Sequence, residues 1–169
     1  NFTVEVANFS GIEIGWLQTV REIPGFFAIG VILVLIFMRE QTLALLSLVA
    51  LGAAAAVTAM FPSFAGLLIT TLIGSFGFHY YETVNQSLQL QWLDKKRAPQ
   101  IIGWLVAAGS AASLVAYGLI AIVFKWGGLG YHAVYMAGGG ITVAIAIYCW
   151  IAYPMFPMEI RQHKRLILR

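Results

Sequence analysis

Long apolar runs, each about as long as a bilayer is thick and separated by short polar breaks, limit this chain more than any motif does. Five such runs fall at about 12–38, 43–61, 64–90, 100–124 and 131–153. A helix needs about 20 residues to cross roughly 30 Å of hydrocarbon at about 1.5 Å per residue, and each run can supply them. Hydrophobic residues make up 60% of the chain and charged residues only 10%, with a mean hydropathy of +0.84. A soluble domain carries about 25% charged residues, so this chain cannot clothe a water-facing surface. The sequence predicts an all-α, polytopic membrane protein of about five transmembrane helices, one helical domain over residues 1–169, with the lipid bilayer as its solvent. The net charge of +3 is small and scattered, which argues against nucleic acid as a partner.

The breaks carry ordinary helix punctuation. Phe61-Pro62-Ser63 combines a residue that ends helices with one that caps them, and Pro99 suits a first helical turn. Arg39, then Lys95, Lys96 and Arg97, then Arg161, Lys164, Arg165 and Arg169 would fall on one side of the membrane, with Lys125 alone opposite. Positive residues collect on the cytoplasmic side. The expected topology therefore has the N-terminus outside and the C-terminus in the cytoplasm, with a bacterial inner membrane as the expected home. The start at Asn1 and the basic finish lead us to expect a piece of a longer protein.

A weak internal repeat is visible. Ile14-Gly15-Trp16-Leu17 opens the first run and Ile102-Gly103-Trp104-Leu105 opens the fourth; at the same offset Ala28 aligns with Ala116 and Gly30 with Gly118. Three helices apart, the two copies enter the membrane from opposite sides. That is an inverted-topology repeat, a construction found in secondary transporters.

The third run is the most polar. At about 100° per residue, Thr71, Ser75, His79, Glu82, Gln86 and Gln89 fall within about 80° of arc. Polar groups facing lipid cost several kcal/mol each, so the stripe should turn toward protein or water. It lines a solute path on one reading, with His79 or Glu82 taking up a proton; on the other it emerges into cytoplasmic water. His79 and Glu82 are three apart and can touch. In the first run Arg21 and Glu22 precede Pro24-Gly25, a kink signal. Arg21 could attract an anionic solute or hold a gate, or it could snorkel or pair with a carboxylate. The small-residue run from Ala107 to Ser113 and Gly138-Gly139-Gly140 suit close helix packing.

Other chemistry finds no support. Cys149 is the single cysteine, which leaves no internal disulfide. There is no phosphate loop and no HExxH. His132 and His163 are badly spaced for a metal. No catalytic residue, metal or cofactor is assigned, and an enzyme is not expected.

Taken together, the Met38-Arg39-Glu40 turn, the basic Lys95-Lys96-Arg97 loop, the small-residue fourth run around Gly109 and Gly118, and the basic exit after Pro157 resemble the major facilitator superfamily of transporters. The chain would match helices two to six of twelve, an N-terminal half bundle with inverted repeats. The resemblance implies that the third run is a cavity-lining helix, that the first and fourth flank it, and that the second and fifth lie outside against lipid. The family's cytoplasmic signature after helix two is reduced here to Gly30 and Arg39. The implied function is part of a secondary active transporter moving a small solute by alternating access, with proton coupling as an option. Its partners would be that solute, the missing first helix and the second half. The alternative is a non-transporting membrane subunit or assembly factor. The pathway candidates are Arg21, Glu22, Ser75, His79, Glu82 and Gln86.

Overall fold

The computed structural model describes residues 2–153. Asn1, His163 and the basic exit Arg161, Lys164, Arg165 and Arg169, which carries part of the charge argument, lie outside the described residues. A short helix α1 (Phe2–Glu5) is followed by α2 (Gly11–Phe26), a 3₁₀ turn (Phe27–Ile29), α3 (Gly30–Phe37), α4 (Glu40–Thr58), α5 (Phe64–Trp92), α6 (Ala98–Trp126) and α7 (Tyr131–Ala152). No strand occurs among the described residues. The protein is all-α, with the character of a multi-pass membrane protein.

Local chemistry sets several helix ends. Ser10 and Glu13 form a reciprocal capping box at the start of α2: the Glu13 carboxylate accepts from the Ser10 amide at 2.8 Å, and the Ser10 hydroxyl accepts from the Glu13 amide. Together they satisfy two amides that would otherwise lack partners. Ser63 caps α5 by accepting from the Gly66 amide at 3.1 Å. Gly128 takes φ +62 between α6 and α7, a conformation glycine adopts without strain.

Among the described residues four stretches are long and apolar enough to cross a membrane: Gly11–Phe37, Glu40–Thr58, Ala98–Trp126 and Tyr131–Ala152. The expected fifth, α5, is 29 residues long and is the more polar helix, carrying Ser75, His79, Glu82, Gln86 and Gln89. The first span differs from the single helix expected over 12–38. Pro24 lacks an amide hydrogen and crowds the preceding turn, and two residues past Gly25 the helix tightens into the 3₁₀ turn before α3 resumes.

Helix α4 is the hub. It packs along both α5 and α7, while α2 packs on α5. Small residues make this possible: Gly77 on α5 lies against the backbone of Ser47 and Leu51, and Gly52 on α4 against that of Gly139. The resemblance placed the second run outside against lipid; instead it is the most enclosed, burying Leu43, Ala44, Ser47, Gly52 and Ala54. Helix α6 is the bare one. It barely touches α5, and Trp104, Leu114, Val115 and Tyr117 are all exposed. Its small-residue run, expected to pack, meets no neighbour: a methyl group added at Gly103, Gly109 or Gly118 would have nothing within 4 Å. The repeat-related helices α2 and α6 therefore occupy unlike surroundings, one packed and one open. In α7 only the middle glycine of Gly138-Gly139-Gly140 is used for close approach.

Two apolar clusters bracket the bundle along α5. Phe2, Phe9, Leu17 and Leu67 gather at its start, and Val31, Leu43, Ala44 and Val84 near its end. The chain before α2 belongs to the first cluster. Phe2 stacks edge-on to Tyr131 and Tyr135, with ring centroids at 5.6 and 5.4 Å, and the Tyr131 hydroxyl donates to Glu5 Oε2 at 2.6 Å.

Candidate functional site: a polar cavity between two apolar clusters

Between the clusters lies a cavity of about 570 Å³, walled by α2, α4, α5 and α7. Helix α5 contributes Thr70, Thr71, Gly74, Ser75, Phe78 and His79; α2 contributes Arg21 and Glu22. At about 1.5 Å per residue, α5 is roughly 43 Å long, and these α5 residues sit in its first half and middle. The cavity therefore lies along the middle of the bundle's length, away from both ends of α5.

The charged pair is adjacent in the chain. Arg21 Nη2 and Nε both lie 3.1 Å from Glu22 Oε1. Their side chains are 58% and 57% exposed, so each head group remains accessible. The partner of Arg21 is thus its immediate neighbour in the chain.

Ser75 is buried, and its hydroxyl donates to the Arg21 backbone carbonyl. It ties α5 to α2 just before the Pro24 break, so it serves as a joint as much as a lining group. Thr58 and Thr70 turn their hydroxyls back on their own helices, donating to the Ala54 carbonyl at 2.7 Å and the Gly66 carbonyl at 3.0 Å. His79 packs edge-on to Phe78, with centroids at 5.3 Å, and its ring leans on α2 at Gly25: a methyl group there would stand 3.3 Å from His79 Cε1. The missing side chain at Gly25 lets the imidazole approach the α2 backbone.

The six candidate residues separate into two groups. Arg21, Glu22, Ser75 and His79 share this cavity. Glu82 and Gln86 line a second one of about 590 Å³, with Tyr81, Asn85 and Gln89, against Ile102, Leu105 and Val106 of α6. No hydrogen bond joins His79 to Glu82, although their spacing permits one. Both cavities open on the same face of α5, as the stripe implied. Along the first half of the helix that face meets α2 and α4, and further on it meets α6.

No family model, no curated protein and no solved structure matches this chain. The reading of the site therefore rests on its own geometry.

Leu51, Ala55 and Thr58 from α4 and Tyr135 from α7 complete the first cavity. The sequence reading missed them. Leu51 and Ala55 are ordinary apolar residues on an apolar helix, and nothing local marks which of them will face a void. Thr58 and Tyr135 carry hydroxyls within apolar runs, the only local signal available. Among the described residues no three His, Cys, Asp or Glu side chains converge as a metal site would need.

Proposed function

We propose that this chain forms one wall of a secondary active transporter that moves a small polar solute by alternating access, in the manner of the major facilitator superfamily. The observation that carries the reading is the polar cavity inside an otherwise apolar bundle. Charged side chains along a membrane-spanning helix are costly where they meet lipid, and the exposed Arg21–Glu22 pair is accommodated when water or a polar solute occupies the cavity. The bare face of α6 supports the same reading, as the surface on which a further helix and a second half would sit. On this proposal the second cavity, with Glu82 and Gln86, continues the path along the same face of α5. A proton is taken up at His79 or Glu82, the N-terminus lies outside, and the protein resides in a bacterial inner membrane.

A second reading has one specific observation in its favour. The Ser75 bond to the Arg21 carbonyl satisfies part of the polar stripe within the protein, and Arg21 pairs with Glu22, as in a non-transporting subunit or assembly factor.

Cysteine accessibility in the full-length protein separates the two. After Cys149→Ala, single cysteines at Thr71 and Gln86, with Leu67 as a buried control, are labelled by a membrane-impermeant maleimide from each side. Labelling at Thr71 that changes sidedness with conformation supports a transport path. Labelling at Gln86 with none at Thr71 removes that path and leaves the subunit reading.

A further inference from the structure

We infer that the mid-bundle cavity binds a zwitterion, a small molecule carrying a carboxylate and an ammonium group a few bonds apart on an apolar body. This rests on the cavity being a solute site. Its lining holds one cation and one anion, Arg21 and Glu22, consecutive in the chain and paired with each other. Three of the other polar groups are already committed: Thr58 and Thr70 to their own helix carbonyls, and Ser75 to the Arg21 carbonyl. Leu51, Ala55 and Phe78 supply the apolar wall.

The choice among ligand charges follows from electrostatics. A simple anion would pair with Arg21 but leave the Glu22 carboxylate unpartnered and repelled close by. A simple cation would do the converse to Arg21. Either would leave one charge of the pair without its partner and facing a like charge on the ligand. A zwitterion exchanges one ion pair for two and adds no net charge. The planar Arg21 guanidinium suits a carboxylate through two parallel hydrogen bonds, and Glu22 accepts from an ammonium. Opening the existing pair costs little, since a pair this exposed contributes at most about 1 kcal/mol. The His79 imidazole at the cavity wall offers one further hydrogen-bonding group.

The test uses three molecules on one carbon skeleton: leucine, 4-methylpentanoate, which lacks the ammonium, and 3-methylbutylamine, which lacks the carboxylate. Ligand-dependent shifts in the thermal unfolding midpoint of the purified full-length protein are read for each. Leucine is expected to shift the midpoint, with each one-charge analogue binding about tenfold more weakly or worse, equivalent to about 1.4 kcal/mol. Glu22→Gln should lose leucine and retain 4-methylpentanoate; Arg21→Gln should lose leucine and retain the amine. The analogue comparison in the unaltered protein stands even if a variant fails to fold. Equal binding of either analogue overturns the inference, as does an absence of response to leucine and to the smaller zwitterion alanine alike. If the Thr71 cysteine is nevertheless labelled in the manner of a transport path, the zwitterion assignment falls and the transporter reading stands.

Discussion

Gly52 on α4 and Gly139 on α7 meet backbone to backbone: a methyl group added to Gly52 would stand 2.8 Å from the Gly139 carbonyl oxygen. The contact fixes the spacing of the two helices that carry opposite parts of the cavity wall, Leu51, Ala55 and Thr58 on one and Tyr135 on the other. Gly52→Ala should therefore force the helices apart, with an overpacking cost of about 1–3 kcal/mol. Gly109→Ala on α6, where nothing lies within 4 Å, should be neutral or stabilising by up to about 1 kcal/mol through helix propensity. Thermal unfolding in mild detergent checks both, and equal destabilisation by the two changes would refute the α4–α7 contact.

Ser75→Ala removes the hydroxyl that ties α5 to the Arg21 carbonyl. The expected loss is about 1 kcal/mol, concentrated where α2 meets α5. Hydrogen exchange should show faster exchange in α2 around Arg21 to Gly25 and little change in α7.

At the other end of α5, the Gln91 amide donates to both Glu40 carboxylate oxygens, at 3.1 and 2.9 Å, and also to the Ser87 hydroxyl at 3.0 Å. The arrangement joins the start of α4 to the last turns of α5. Gln91→Ala should destabilise by about 1–2 kcal/mol, since the acceptor is charged. Adding Glu40→Ala should cost less than the sum of the two single changes, because each removes the same bonds. Strict additivity in unfolding measurements would show that the residues are not coupled.

The segment before α2 is held by Phe2 between Tyr131 and Tyr135 and by the Tyr131–Glu5 hydrogen bond. Tyr131→Phe deletes the bond and keeps the ring contact. Phe2→Ala deletes the contacts and keeps the bond. Limited proteolysis near Val6 and Ala7 should accelerate more for Phe2→Ala, because Phe2 is only 4% exposed whereas the hydrogen bond is open to water. The unfolding midpoint should move little in Tyr131→Phe. Protection unchanged from the unaltered protein in both variants would mean that neither interaction holds the segment.

The helices were readable from the chain because hydrophobic length and end chemistry are local properties. The Pro62-Ser63 break, Pro99, the Pro24-Gly25 kink and the apolar runs each act within a few residues, and observed boundaries differ from the expected ones by three residues or fewer. Helix α1 escaped notice because four residues carry no periodicity, and its place is set by Tyr131, far along the chain. The polar stripe of α5 was equally legible, since helix geometry alone puts Ser75, His79, Glu82 and Gln86 on one face.

What that face meets was decided only by tertiary structure. The sequence by itself determined an all-α chain of bilayer-length helices with one polar helix among them, because transfer free energy and helical periodicity depend on residue type and spacing alone. Packing made α4 the hub and left α6 bare, although both are rich in small residues, because close approach needs a matching surface on a second helix as well as room on the first. The same packing gave Ser75 to the Arg21 carbonyl, turned Arg21 and Glu22 into one cavity, and placed Glu82 in another. Which groups end up paired depends on the meeting of helices distant in sequence, and no local pattern encodes that meeting.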